Sequence, residues 1–194
     1  GVHGDEVEGV YCQAQIFDWL KKCSEVEVPL IIIPVLNVDG YQHNTRVNAN
    51  GIDLNRNLPS KNWSSEAREK KYNPGKKPLS EPENIFLNNL FIKYPPQFIL
   101  SIHSWKPRIN FNGDCHQEAT IMHQENGYPV VEEIDGHPTP GSLGEYAPEA
   151  FNCPVLTFEC PQIDDNKMTL KKVWAENEKA FKSLLRHLKS AKTN

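Results

Sequence analysis

The stretch QFILSIHSW, Gln97 to Trp105, sets the fold class. Phe98, Ile99, Leu100 and Ile102 make a short apolar run, which predicts a buried strand rather than a helix face. CPVLTFECP, Cys153 to Pro161, has the same character, and LIIIPVLNV, Leu30 to Val38, is longer and β-branched. All three are expected as strands. Between them lie helical patterns. Val10, Ala14, Phe17 and Leu20 share one helical face within Val7 to Lys22. SEPENIFLNNLFIKY begins with Ser80 and has Glu83 three residues on, a capping box, and Pro95-Pro96 ends it. Leu170 to Leu188 repeats apolar residues at helical spacing, with a solvated lysine face. Strands alternating with helices predict an α/β domain spanning residues 1–194.

Composition narrows the function classes. At 194 residues the chain is large enough for a substantial core. A net charge of -4 gives no reason to expect a nucleic-acid partner. The longest apolar run, PLIIIPVL, is far short of the ~18 residues of a membrane span. Five cysteines without CxxC spacing resemble reduced thiols more than a disulfide framework, so a cytoplasmic setting is expected. Oligomeric state is not readable.

Two polar residues interrupt the apolar strands. His103 sits near the end of the first, and Glu159 inside CPVLTFECP. Burying a carboxylate is costly unless it is paired or beside a metal. A lone strand histidine is more often a satisfied core residue than a ligand. Strand ends of α/β sheets are nevertheless where ligands bind. The chain opens on GVHGDEVEG, which places His3 and Glu6 at i and i+3, on one side of a turn entering a helix. His-x-x-Glu alone arises often by chance. With a third ligand from a distant strand it would suit zinc.

The polar stretch RVNANGIDLNRNLP, Arg46 to Pro59, resembles the substrate-binding loop of zinc carboxypeptidases of the carboxypeptidase A class. The likeness extends to GVHGDE before it and to SIHSW and TFECP after it, in the family's order, over nearly the whole chain. NANGIDLNRNLP, SEPE, TPGSLG and the ending ECP further resemble a subgroup that cleaves murein peptides. Singly, Asn48, Asn50 and Gly51 read as turn formers and Arg56 as a surface ion pair. Those readings do not explain the set.

The resemblance implies a three-layer αβα zinc-carboxypeptidase-like fold with a mixed, mostly parallel central sheet. It implies one zinc per chain on His3, Glu6 and His103. Glu159 matches the general base that takes the proton of the attacking water. Arg46, nine residues before Asn55, matches the arginine at the oxyanion, and Asn55 with Arg56 the pair gripping the substrate's terminal carboxylate. Many family members carry a tyrosine three residues before the Pro-Gly of the substrate loop. GHPTPGSLG has His137 there, either a substrate contact or a loop histidine, with Tyr146 as a substitute.

The implied substrate is a small murein tripeptide, cut between γ-D-glutamate and meso-diaminopimelate. Asp114 and Glu145 are candidates for its distal amine, or simply surface acids. An ordinary carboxypeptidase, an aspartoacylase-like deacylase and a non-catalytic peptide-binding domain remain as alternatives. Only 35 residues follow Glu159, which leaves little room for the deacylase's extra domain. In the family a strand leads into the GVHGDE turn, and almost nothing precedes His3 here. The expectation is an N-terminally incomplete domain that lacks N-terminal sheet strands.

Overall fold

The structure, a computed structural model, describes residues 1–26, 28–132, 138–164 and 167–190. After the opening turn come α1 (Val7–Leu20), α2 (Val38–His43) and α3 (Pro82–Lys93), then β1 (Ile99–Trp105) and β2 (Arg108–Asn112). They are followed by α4 (His116–Asn126), β3 (Val130–Val131), α5 (Leu143–Phe151), β4 (Val155–Pro161) and α6 (Leu170–Ser190). The sheet order is β1-β4-β2-β3. β1 runs parallel to β4 and β2 parallel to β3, while β2 is antiparallel to β4. The sheet is therefore mixed and mostly parallel, as expected.

Side-chain alternation along β4 divides the core in two. Leu156, Phe158 and Cys160 face one way, into a cluster with Cys12 and Ile16 of α1, Met122 of α4 and Val173, Phe181 and Leu184 of α6. Val155 faces the other way, against Leu143, Tyr146 and Ala147 of α5, Leu87 and Phe91 of α3, and Leu54 and Leu58. Helices thus cover both faces of a buried sheet, the arrangement expected for strands without polar alternation. Glu159 shares the α5 side with Val155, four residues further along β4.

Two expectations are corrected. Residues 30–38 do not form a strand. Leu36 and Asn37 donate their backbone N–H groups to Gly1 O, and Val38 already begins α2. Leu30 and Ile31 are 44% and 57% exposed. A strand needs a ladder partner, and among the described residues none pairs with this segment. β1 lies at the sheet edge, and an apolar cleft of about 1110 Å³ is lined by both. Ser80 also does not cap α3. Glu81 occupies the N-cap and Pro82 the first turn, where its missing N–H costs nothing.

Candidate metal centre

Three distant segments meet at the C-terminal end of β1 and β4. His3 and Glu6 come from the turn that enters α1, with Glu6 at its N-cap. His103 comes from β1, where the parallel register sets it beside Glu159 of β4. His3 and His103 are buried, and one ligand atom from each of His3, Glu6 and His103 lies within 4.8 Å of the others. His3 Nδ1 is 2.8 Å from Glu6 Oε1, and His103 Nδ1 is 2.8 Å from Glu6 Oε2. The two Nδ1 atoms are only 3.1 Å apart.

That geometry fits a zinc ion. Two imidazole nitrogens turned toward each other and toward one carboxylate offer two nitrogen donors and an oxygen donor, a set zinc accepts. The other ring nitrogens are held from outside, which fixes which nitrogen faces inward. His3 Nε2 lies 3.1 Å from Asp53 Oδ1, and His103 Nε2 lies 3.0 Å from Ser101 Oγ. Ser104 N donates to Glu6 Oε2 at 3.2 Å.

The electrostatics favour positive charge at the centre. Burial alone would raise the Glu6 carboxyl, but His3 and His103 outweigh it and hold Glu6 well below the usual carboxylate range. Burial alone would lower His3, yet Glu6 and Asp53 raise it against Arg46. A metal ion bound here would compete with protons for the imidazole nitrogens.

Asp53 carried no role in the sequence reading. It is fully buried and ties His3 to Arg46, whose Nε donates to Asp53 Oδ2 at 2.9 Å. Burial would raise its carboxyl, but His3, Arg46 and Arg56 depress it. Arg46 Nη1 also reaches Glu6 Oε1 at 3.4 Å, so this arginine borders the metal cluster directly. A signal for Asp53 was available: an acid between Ile52 and Leu54, inside the quoted loop.

Glu159 faces the same space. Its Oε2 is buried and has no hydrogen-bond partner among the described residues. Burial, then Glu6, raises its carboxyl, against the opposing pull of His103, His3 and Arg108. An unpartnered carboxylate oxygen at the edge of a metal-ligand cluster is suited to accept a proton.

The loop motifs hold one another in place. Asn48 Nδ2 and Asn50 Nδ2 each donate to Glu81 Oε2 at 2.8 Å, and Asn57 Nδ2 donates to Ser80 Oγ at 2.9 Å, so the asparagine-rich loop is fastened to SEPE. Asn55 Oδ1 accepts from Leu143 N at 2.8 Å. Leu58 N donates to Gly141 O at 3.0 Å, and Gly141 N to Ser60 Oγ at 2.9 Å. Gly141 has φ +74°, and a Cβ there would stand 2.2 Å from Arg56 O. TPGSLG is thus a backbone cradle for the Asn55–Arg56 loop. Arg56 itself is steadied by a bond from Nη1 to Asn55 O at 2.6 Å.

Not every expected site residue arrives. β2 runs antiparallel to β4, with Arg108 opposite Glu159 but Asn112 opposite Val155. Asp114 follows Asn112, so it lies at the far end of the sheet, roughly 13 Å or more from Glu159 by strand rise. It lines a small hollow with Pro148 and Asn152 and is not a substrate residue of this site. Tyr146 is buried in the core and donates to Asn88 Oδ1, so it cannot serve as a substrate contact. Glu145 stays in the first turn of α5, half-buried. His137 lies outside the described residues.

Residues 26–135 match the family model for zinc carboxypeptidases, Peptidase_M14. Murein peptide amidase A of Vibrio campbellii is 31% identical over 202 residues, covering 96% of this chain and 75% of that protein. Its Escherichia coli K12 counterpart is 30% identical over 187 residues, covering 90% and 74%. The crystal structure of murein-tripeptide amidase MpaA from Escherichia coli O157 superposes with a TM-score of 0.72 at 28% identity, covering 96% of this chain and 78% of that one. Carboxypeptidase A of Helicoverpa armigera, 19% identical, has a TM-score of 0.79 over 100% of this chain and 60% of its own and shares the fold. With more than half of its residues inside the family model, and with relatives of this extent, the chain belongs to the zinc carboxypeptidase family and is a hydrolase of the metallopeptidase type.

Proposed function

We propose that this chain hydrolyses the amide between γ-D-glutamate and meso-diaminopimelate in murein peptides. The observation that carries the reading is the convergence of His3, Glu6 and His103 around one position, with the unpartnered Oε2 of Glu159 beside it. The murein amidase relatives supply the substrate class.

His3, Glu6 and His103 would hold the zinc. When bound, zinc polarises the scissile carbonyl and acidifies water. Glu159 accepts the proton of the attacking water and returns it to the leaving nitrogen. Its raised basicity suits both steps. Arg46, held by Asp53, presents a fixed guanidinium to the developing oxyanion, so little reorganisation is needed. Arg56 and the amide of Asn55 grip the terminal carboxylate, for which a planar guanidinium is better shaped than an ammonium. Asp53 keeps His3 in one orientation.

The test is a digest of L-Ala–γ-D-Glu–meso-diaminopimelate by the zinc-loaded chain, read by mass spectrometry. Release of free diaminopimelate is expected. Ready cleavage of peptides ending in L-Phe or L-Arg with the murein tripeptide left intact would replace this reading with an ordinary carboxypeptidase.

A further inference from the structure

Tyr72 ends the single turn Lys70–Tyr72, and its ring collects four cations. The guanidinium carbons of Arg46, Arg56 and Arg68 lie 5.0, 5.3 and 5.2 Å from the ring centroid, and Lys71 Nζ lies 5.0 Å away. Each contact is attractive alone. Together they bring four positive charges around one phenol, where they repel. The crowding is felt at Arg56: burial lowers its guanidinium pKa, Asp53 opposes, and Arg46 and Arg68 lower it further.

The four divide by depth and by task. Arg46 and Arg56 are the inner pair, assigned above to the carbonyl oxygen and the terminal carboxylate. Arg68 and Lys71 are the outer pair, both exposed. Glu69 is one partner of both, 3.7 Å from Arg68 Nη2 and 3.3 Å from Lys71 Nζ. Exposed pairs at such distances contribute little and exchange readily. Tyr72 therefore links the reaction centre to an outer pair of cations that the proposed chemistry leaves unused.

We propose that Arg68 and Lys71, positioned on Tyr72, form a second carboxylate subsite, so that preferred substrates carry another carboxylate close to the scissile amide besides the one held by Arg56. This rests on the proposed function. In a murein tripeptide the second carboxylate is either the α-carboxylate of the γ-linked D-glutamate or the distal carboxylate of diaminopimelate.

Three substrates separate the sources: L-Ala–γ-D-Glu–meso-diaminopimelate, its analogue with the glutamate α-carboxylate amidated, and its analogue with L-lysine in place of diaminopimelate. Each is assayed with the zinc-loaded chain and with R68Q/K71Q. The unmodified chain should prefer the parent over one analogue by about tenfold in kcat/KM, the weight of a charged hydrogen bond. The double variant should lose most of that preference through KM, with kcat and the rate on that analogue unchanged, and R68K should restore part of it. The analogue that is discriminated against identifies the carboxylate. Equal cleavage of all three by the unmodified chain, or the same preference in R68Q/K71Q, overturns the subsite and leaves the proposed function standing. Cleavage of none of the three removes both.

Discussion

His103 and Glu159 are direct partners in the parallel ladder between β1 and β4. One strand contributes one of the two imidazoles of the candidate metal cluster, and the other contributes the carboxylate with the unpartnered oxygen. Their spacing is fixed by backbone hydrogen bonds and not by loop conformation. A slip of one residue would turn one of them to the opposite face, into the α6 core. The proposed metal ligand and the proposed proton acceptor therefore share one structural determinant.

Replacing Glu159 by Gln separates the two. The amide keeps the shape but cannot accept a proton. Turnover should fall by ~10²–10⁴, the usual worth of a general base. Zinc content, measured by mass spectrometry of the native protein, should stay at one per chain. Near-normal turnover in this variant removes Glu159 from the mechanism.

Asp53 should shape the acid limb of stability in the metal-free chain. Its folded pKa is depressed, so its contribution is complete above the unfolded carboxyl value of about 3.9 and is lost as pH falls toward the folded value. Urea midpoints taken downward from about pH 6 should fall more steeply for the unmodified chain than for Asp53→Asn. Parallel curves would show that its neighbours do not depress the Asp53 carboxyl. The same variant should bind zinc ~10–100-fold more weakly, because His3 loses its outer partner.

Arg56→Lys keeps the charge and loses the fork. KM for substrates with a free terminal carboxylate should rise about tenfold, while amidated substrates change little. Equal cleavage of free-acid and amidated peptides by the unmodified chain would mean that no carboxylate anchor exists.

Gly141→Ala should damage substrate binding without touching the metal ligands. The φ of +74° disfavours alanine, and its Cβ would collide with Arg56 O. A loss of more than ~1 kcal/mol in thermal or urea stability is expected, with a raised KM and unchanged zinc content. A variant as stable as the parent and with its KM would show that the cradle yields freely.

The sequence was most readable where chemistry and burial conflict. His103 and Glu159 stand out because a polar residue in an apolar strand needs a reason, and β1, β4 and α6 follow from local pattern alone. Asp53 was missed because its importance lies in two long-range partners, His3 and Arg46, fifty and seven residues away. The segment from Leu30 to Val38 misled for a similar cause: β-branched composition reports a preference for extension, while a strand also requires a neighbour. β2 carries the period-two signal, with Ile109 and Phe111 buried and Arg108, Asn110 and Asn112 less so, but its five residues are short. Nothing local gives its antiparallel direction, and that direction alone puts Asp114 at the wrong end of the sheet.

The cradle of Gly141 beneath Arg56 has a consequence for engineering. The Asn55–Arg56 segment, proposed above to recognise the substrate, and the start of α5 are closed on each other through Asn55 to Leu143, Leu58 to Gly141 and Gly141 to Ser60. Grafting a recognition loop from a relative onto this scaffold would break those joints unless TPGSLG travelled with it. The transferable module is the pair of segments, discontinuous in the gene and continuous in space.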